Sequence, residues 1–352
     1  MVTCKIAFQN KPKDLVVKEV TLPPIKPDQV LIKLKAAGIC GSDVECYEGK
    51  SGEGRYDIAP YTPGHEWAGE VIEAGEDVTI VKPGDKVTGD CVLNCFYCAN
   101  CKSGLMPSAC LNMREAGFRP DSPGGWGEYL ILEHYFIHKL PDDWTYEEGA
   151  LVEPFSIGYF GLWGNNGYVD ASDNVVVFGA GSIGLCALMA AKASRAKVIQ
   201  VEPLPKRQEF AKRIGADYII DPSKEDVEAK VAEYTDGVGG NIVIEASGND
   251  KAITSMFDVA AHSARVRLIG HSIGRKVPIE IGKTIWKTLL ITGSGGVRNF
   301  MPRTITFMDR IRSEFNFTDL ISDRYSFDEL DVAMKKAVED KANAFKVMLT
   351  FD

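Results

Sequence analysis

Four consecutive apolar residues, Val175–Phe178, run directly into Gly179-Ala180-Gly181-Ser182-Ile183-Gly184, and an apolar stretch continues to Ala191. A strand, a glycine turn and a helix in immediate succession restrict the fold severely. The first glycine allows the tight turn, the second lets backbone approach a pyrophosphate, and the third allows helix and strand to pack closely. The helix N-terminus then offers N–H groups and a positive dipole end to the anion. Glu202 closes the next apolar run, 18 residues beyond Gly184, where an acid can accept both hydroxyls of an adenosine ribose. The plainer alternative is an ordinary turn with Glu202 as a solvated charge. Strand, glycines, helix and acid in one register favour a dinucleotide site.

The same stretch, Asn174 to Ala191, is 18 residues without a charge. A membrane-spanning helix needs about 20 apolar residues, and the glycines in its middle point to a buried strand, turn and helix instead. The N-terminal MVTCKIAFQNKPKD has no apolar core of a secretory signal. With 49 acidic against 40 basic residues and a net charge of -9, the chain is not expected to bind nucleic acid or anionic membranes generally.

A length of 352 residues suggests two domains at roughly 100–200 residues each. The first 150 residues read as short strands. Val30–Lys35 alternates apolar and charged, Trp67–Ala74 and Lys86–Val92 are similar, and turn signals such as Lys82-Pro83-Gly84-Asp85 separate them. This is an all-β, barrel-like pattern. After Glu153-Pro154 it changes: Phe155–Trp163 reads as a helix. Val175–Phe178, Lys197–Val201, Tyr218–Ile220, Ile242–Glu245, Val266–Ile269 and Leu289–Thr292 read as strands alternating with helices such as Pro205–Ile214 and Ser223–Tyr234. Repeated β-α units imply a parallel sheet covered on both faces. A helix over Phe327–Asp340 and a last strand, Phe345–Thr350, close the chain.

Nine cysteines, five of them between Cys91 and Cys110, suit reduced thiols in a cytosol, clustered for a metal, better than a disulfide framework. Cys95, Cys98 and Cys101 are spaced three apart and Cys110 follows. Four thiolates in one compact loop suit a closed, tetrahedral, structural zinc site; free thiols or disulfides are the alternative. Cys91 is a spare thiol nearby. Elsewhere Cys40, His65, Glu66 and Glu153 are dispersed candidates for a catalytic zinc, in which three protein ligands leave a position for substrate. Asp43 can accept the other ring N–H of His65 and fix its tautomer. Singly, each of these residues is more often a core thiol or a solvated charge.

Gly38-Ile39-Cys40-Gly41-Ser42-Asp43, Thr62–Val71, the four-cysteine lobe, Leu151-Val152-Glu153-Pro154 and Val175–Leu185, in this order, resemble the zinc-dependent medium-chain dehydrogenases over essentially the whole chain. Cys40–Val44 and Leu151–Pro154 are most similar to the polyol branch of sorbitol, xylitol and galactitol dehydrogenases and related cyclitol enzymes; L-threonine dehydrogenases and sugar 1-dehydrogenases are neighbours. The resemblance implies an α/β plus β fold. A GroES-like β-barrel catalytic domain (residues 1–155 and 297–352) would carry an inserted Rossmann domain, a doubly wound parallel sheet (residues 156–296). It implies NAD and two zinc ions per chain, one catalytic and one structural, a small polyol or sugar-alcohol substrate, a cytoplasmic location and a homodimer or homotetramer.

Residue by residue, it implies Cys40 and His65 as catalytic zinc ligands with Glu66 or Glu153 as the third. Ser42 matches the hydroxyl that passes the substrate proton outward while hydride goes to the nicotinamide. Gly179, Gly181, Ser182, Ile183 and Gly184 match the pyrophosphate loop, Glu202 the ribose acid and Arg207 an arginine near adenine. Gly270, Ser294 and Arg298 match residues near nicotinamide or substrate. Two departures stand out: the Cys101–Cys110 gap is one residue longer than the family's usual spacing, and Glu45 stands where many members end a proton relay with histidine. The relay then ends at Glu45, or at cofactor hydroxyls and water with Glu45 a solvated loop charge. A non-catalytic nucleotide-binding relative is the reading from another class. Retention of Cys40, His65, Glu66 and Glu153 together argues against it.

Overall fold

The computed structural model describes residues 1–50, 59–164, 167–270, 274–294 and 300–352. The chain divides into two compact units. One comprises Met1–Glu153, Gly296–Arg310 and Asn316–Asp352; the other comprises Pro154–Gly295 and Ile311–Phe315.

In the first unit the strand Gln29–Ile39 pairs antiparallel with three others: Glu66–Ala74, Tyr129–Glu133 and Lys346–Thr350. Two register shifts, at Leu31/Ile32 and Leu34/Ala36, bend it between partners. Glu66–Ala74 continues the sheet to Lys86–Gly89 and Ile137–Lys139, and Ile321–Ser326 lies parallel to Lys346–Thr350 at the far edge. Alternation places Val30, Ile32 and Leu34 in a core with Trp67, Val71, Val87, Trp126 and Phe136, all nearly free of solvent. The expected strand Lys86–Val92 is two, Lys86–Gly89 and Val92–Leu93. Asp90 leaves the first sheet with its N–H on the Phe136 carbonyl at 2.9 Å. Val92–Leu93 then pairs with Arg114–Glu115 at the base of the cysteine lobe.

The second unit holds a six-stranded sheet in the order Tyr218–Ile220, Lys197–Val201, Asn174–Phe178, Gly240–Glu245, Ala260–Leu268, Leu290–Gly293, every pair parallel. In chain order this is 3-2-1-4-5-6, the doubly wound arrangement, with its switch point between Asn174–Phe178 and Gly240–Glu245. Strand residues Val175, Val176, Val177, Ile199, Val243 and Val266 are fully buried, as a sheet covered on both faces requires. Helix Ser182–Ala193 buries every residue from Gly184 to Ala191, which accounts for its apolar run.

Among the element limits that differ from expectation, three have a clear local cause. The helix expected from Ser223 begins at Val227, because Asp226 caps it by accepting the Ala229 N–H at 3.0 Å, while Ser223 bonds Asp221 in the preceding turn. The strand expected at Val266 begins at Ala260, where polar His262 and Ser263 hide it in sequence. The helix expected over Phe327–Asp340 starts with a tight turn, Phe327–Glu329, behind a Ser326/Glu329 capping box, before Leu330–Glu339.

Candidate functional site

Cys40 ends the strand Gln29–Ile39 and caps the helix Gly41–Glu48 with extended backbone. Asp43 in the first turn accepts the Cys40 N–H through Oδ2 at 2.9 Å. On the neighbouring strand Glu66 pairs with Gly38, which draws His65 and Glu66 beside Cys40. Gly38 leaves the space this needs: a Cβ there would lie 2.2 Å from Glu66 Oε2. One ligand atom each of Cys40, His65 and Glu66 lies within 4.8 Å of the other two. His65 is 5% exposed and Glu66 not at all, and the Phe118 ring tilts against His65 with centroids 5.0 Å apart.

Asp43 Oδ1 faces His65 Nδ1 at 3.6 Å, and neither atom has a hydrogen-bond partner among the described residues. That contact leaves Nε2 as the ring nitrogen available to a metal. Burial opposes charge on the ring, but the groups around it, the Asp43 carboxylate first, outweigh that and hold the imidazole pKa well above its ordinary value. The ring sits where positive charge is wanted. Glu153 is also buried. Burial raises its carboxyl to about 7, with Glu66 and Asp43 adding to the rise and His65 and Lys346 opposing it. Its carboxylate does not join the close trio, so the structure brings Glu66 rather than Glu153 to mutual ligand distance. A half-buried thiol, a buried imidazole and the buried carboxyl groups of Glu66 and Glu153, beside one lysine, form a donor set that fits a divalent cation.

That lysine is Lys346, 2% exposed, with Nζ 2.7 Å and 2.5 Å from the two oxygens of Glu66. It was not among the residues expected at the site. Its one sequence signal is a lone charge heading the apolar run Val347-Met348-Leu349. Ser42 and Glu45 lie on the helix Gly41–Glu48, both half-buried and outside the trio. Arg298 lies outside the described residues.

The four sulfurs of Cys95, Cys98, Cys101 and Cys110 all lie within 4.8 Å of one another, with Cys98 3.4 Å from Cys101 and 3.9 Å from Cys110. Tetrahedral zinc with thiolates at about 2.3 Å sets sulfurs about 3.8 Å apart, so the cluster fits the ion. N–H donors already point at the sulfurs. Cys98 N donates to Cys95 Sγ and Cys95 N to Cys110 Sγ, each at 3.3 Å, and Asn94 and Asn112 donate to Cys101 and Cys95 at 3.5 Å. Burial raises the Cys95 thiol, but bonds from Asn112, Cys98 and Tyr97 outweigh it and bring it down to about 6. Nearby Cys91 is different: burial pushes its thiol up, as for an inert packing residue.

In the second unit Gly179 has a φ of 91°, and a Cβ on Gly184 would lie 1.9 Å from the Gly179 carbonyl oxygen. Both positions therefore need glycine. Gly181 caps the helix, and Ser182, Ile183 and Gly184 form its first turn, whose N–H groups have no intrahelical acceptor. Glu202 is 3% exposed and accepts the Ala180 N–H at 2.7 Å and the Leu204 N–H at 2.9 Å. The acid therefore also shapes the glycine loop. Arg207 reaches the same loop: a Cβ on Gly181 would lie 3.5 Å from its Nη1. Gly270 follows the strand Ala260–Leu268 and packs on Gly248, while Ser294 follows the strand Leu290–Gly293 with its hydroxyl buried and without a partner among the described residues. Among the described residues no helix is long and apolar enough to cross a membrane.

Residues 26–142 match the family described as alcohol dehydrogenase GroES-like domain, and residues 182–310 the family described as zinc-binding dehydrogenase. Sorbitol dehydrogenase of Bacillus subtilis is 30% identical over 347 residues, 98% of this chain and 96% of that protein. L-threonine 3-dehydrogenase of Pyrococcus furiosus is 33% identical over 335 residues, 94% of each chain. Among solved structures, 2R,3R-butanediol dehydrogenase of Bacillus subtilis matches with a TM-score of 0.87 and 29% identity over 99% of both chains.

Proposed function

The chain belongs to the zinc-dependent medium-chain alcohol dehydrogenases, and on that premise we propose that it reversibly oxidises a secondary hydroxyl of a polyol, sugar alcohol or cyclitol to a ketone with NAD. The observation that carries this reading is the close trio of half-buried Cys40 with buried His65 and Glu66, with Asp43 behind the imidazole and Glu153 beside it. When bound, zinc acidifies the substrate alcohol and the nicotinamide accepts its hydride.

Cys40, His65 and Glu66 hold the catalytic zinc in this reading, and Cys95, Cys98, Cys101 and Cys110 the structural one. Glu153 serves the same centre as a buried acid. Asp43 fixes the His65 tautomer. Ser42 takes the substrate proton, and Glu45, three residues on and hence on the same helix face, passes it outward. The N–H groups of the Gly179–Gly184 turn bind the pyrophosphate, and Glu202 the adenosine ribose. Arg207, near Gly181, sits at the phosphate end of that site. Gly270, Ser294 and Arg298 are assigned to the nicotinamide and substrate side. A polyol brings further hydroxyls to the polar side chains around this centre, which a simple aliphatic alcohol lacks.

Sorbitol, 2R,3R-butanediol and the 3-position of L-threonine, named for the relatives, all offer a secondary hydroxyl beside a polar neighbour, which supports the reaction class. The L-threonine reading rests on a relative of slightly higher identity than the sorbitol enzyme. It needs a counter-charge for an amino acid's ammonium and carboxylate. A panel of alditols, cyclitols, aldoses and L-threonine, read as NADH absorbance, tests these readings against each other. Reduced thiols support a cytoplasmic location. Exposed Ile281, Ile285 and Trp286, close in sequence to the edge strand Leu290–Gly293, support a homo-oligomer.

A further inference from the structure

We propose that Lys346 is a positioning residue that weakens the hold of Glu66 on the catalytic metal and thereby keeps that centre open to substrate; this rests on the reading of Cys40, His65 and Glu66 as its ligands. The lysine enters from the start of the strand Lys346–Thr350, 280 residues from its partner in sequence. Its ammonium is fully used: two contacts go to the two oxygens of Glu66 and a third, at 3.3 Å, to the carbonyl of Ile39, the residue before Cys40. Lys346 is 2% exposed and Glu66 is 0% exposed. The pair lies against Gly38, where a Cβ would meet both Glu66 Oε2 and, at 3.2 Å, Lys346 Cδ.

Such a pair is an expensive way to join two strands. Apolar side chains of similar volume usually stabilise a core as well or better than a buried ion pair. The charge acquires a purpose from what Glu66 touches. An ammonium on both oxygens draws off the negative charge that a metal would otherwise receive. Without it, a buried carboxylate beside Cys40 and His65 has the metal as its nearest cation. It would then bind hard, as a closed structural site does, rather than as a centre with an open position.

The test compares wild type with Lys346→Met and Lys346→Arg, all loaded with zinc, by following zinc release to a chromogenic chelator. Release from the four-cysteine lobe is the internal control. The Met variant should release catalytic zinc about tenfold more slowly than wild type, the scale on which neighbours of ligands act. Its kcat should fall, while the Arg variant keeps the charge and stays near wild type in both. Catalytic zinc released from the Met variant at the wild-type rate or faster overturns the proposal. So does an Arg variant that behaves like Met. If the Met variant does not fold, Lys346→Gln carries the same expectation, and failure of both to fold with zinc present marks the pair as a fold clamp and overturns the proposal. A wild-type protein with only the lobe's zinc would instead refute the trio as a metal site, a separate failure visible before any variant is made.

Discussion

Asp43 reaches two of the three close ligand candidates at once: Oδ2 accepts the N–H of Cys40 at 2.9 Å and Oδ1 stands 3.6 Å from Nδ1 of His65. One carboxylate therefore sets both the start of the helix that carries Cys40 and the orientation of the imidazole. Replacing Asp43 with Asn should lower zinc affinity at this centre by about 10–100-fold while leaving the cysteine lobe loaded. Metal analysis after dialysis against a weak chelator checks this. Retention of two zinc ions with wild-type affinity would show that Asp43 orients nothing.

The lobe should behave in the opposite way. Its four sulfurs form a closed set, and closed sites contribute folding free energy directly. Cys98→Ser should lower the thermal midpoint and the zinc content together. Cys40→Ser should abolish turnover with little loss of stability and with NAD still bound, since the nucleotide loop belongs to the other unit. Calorimetry and metal counting on the two variants separate the roles. A Cys98 variant that melts like wild type would contradict a structural zinc.

How much of this was legible depended on sequence distance. The glycine loop could be read directly because strand, turn and helix are contiguous and each glycine has its own steric reason. The lobe could be read because four thiols fall within one short segment. The trio was only suggested: Cys40 and His65 come together through the pairing of Gly38 with Glu66, which no local pattern reveals. Lys346 was missed because a lysine at a strand's start is ordinarily solvated. Only the return of the last strand alongside Gln29–Ile39 places its ammonium on Glu66. The second task of Glu202, accepting the Ala180 N–H, was likewise hidden, since the acid and the loop meet only across neighbouring parallel strands.

That second task sharpens the cofactor prediction. Glu202 should favour NAD over NADP by about a hundredfold or more in kcat/KM, because a buried carboxylate repels a 2′-phosphate. Glu202→Gln, which keeps an acceptor for the Ala180 N–H but loses the charge, should narrow the preference without unfolding the loop. Glu202→Ala should also weaken binding of both cofactors. Equal efficiency with NAD and NADP in wild type would contradict the assignment.

The pH dependence of the centre without its zinc follows from Glu153. Burial lifts its carboxyl from 4.5 to about 7. An acid raised by folding is more protonated in the native than in the unfolded state, so stability falls as pH rises. The contribution is full below about 4.5 and lost by about 7, a span worth about 3 kcal/mol. Denaturant titrations of protein stripped of catalytic zinc should show this slope, and Glu153→Gln should flatten it. An unchanged slope in the variant would mean that Glu153 is not the titrating group.

The most direct measurement is a steady-state substrate panel with purified zinc-loaded protein and NAD, comparing alditols, cyclitols, aldoses, L-threonine and ethanol by NADH formation. Sorbitol-like polyols or cyclitols should exceed ethanol by well over about tenfold in kcat/KM, since they offer further hydroxyls to the polar side chains of the site. The activity should vanish in Cys40→Ser and His65→Ala. If L-threonine or a primary alcohol is the best substrate and no polyol or cyclitol turns over, the proposed substrate class is wrong.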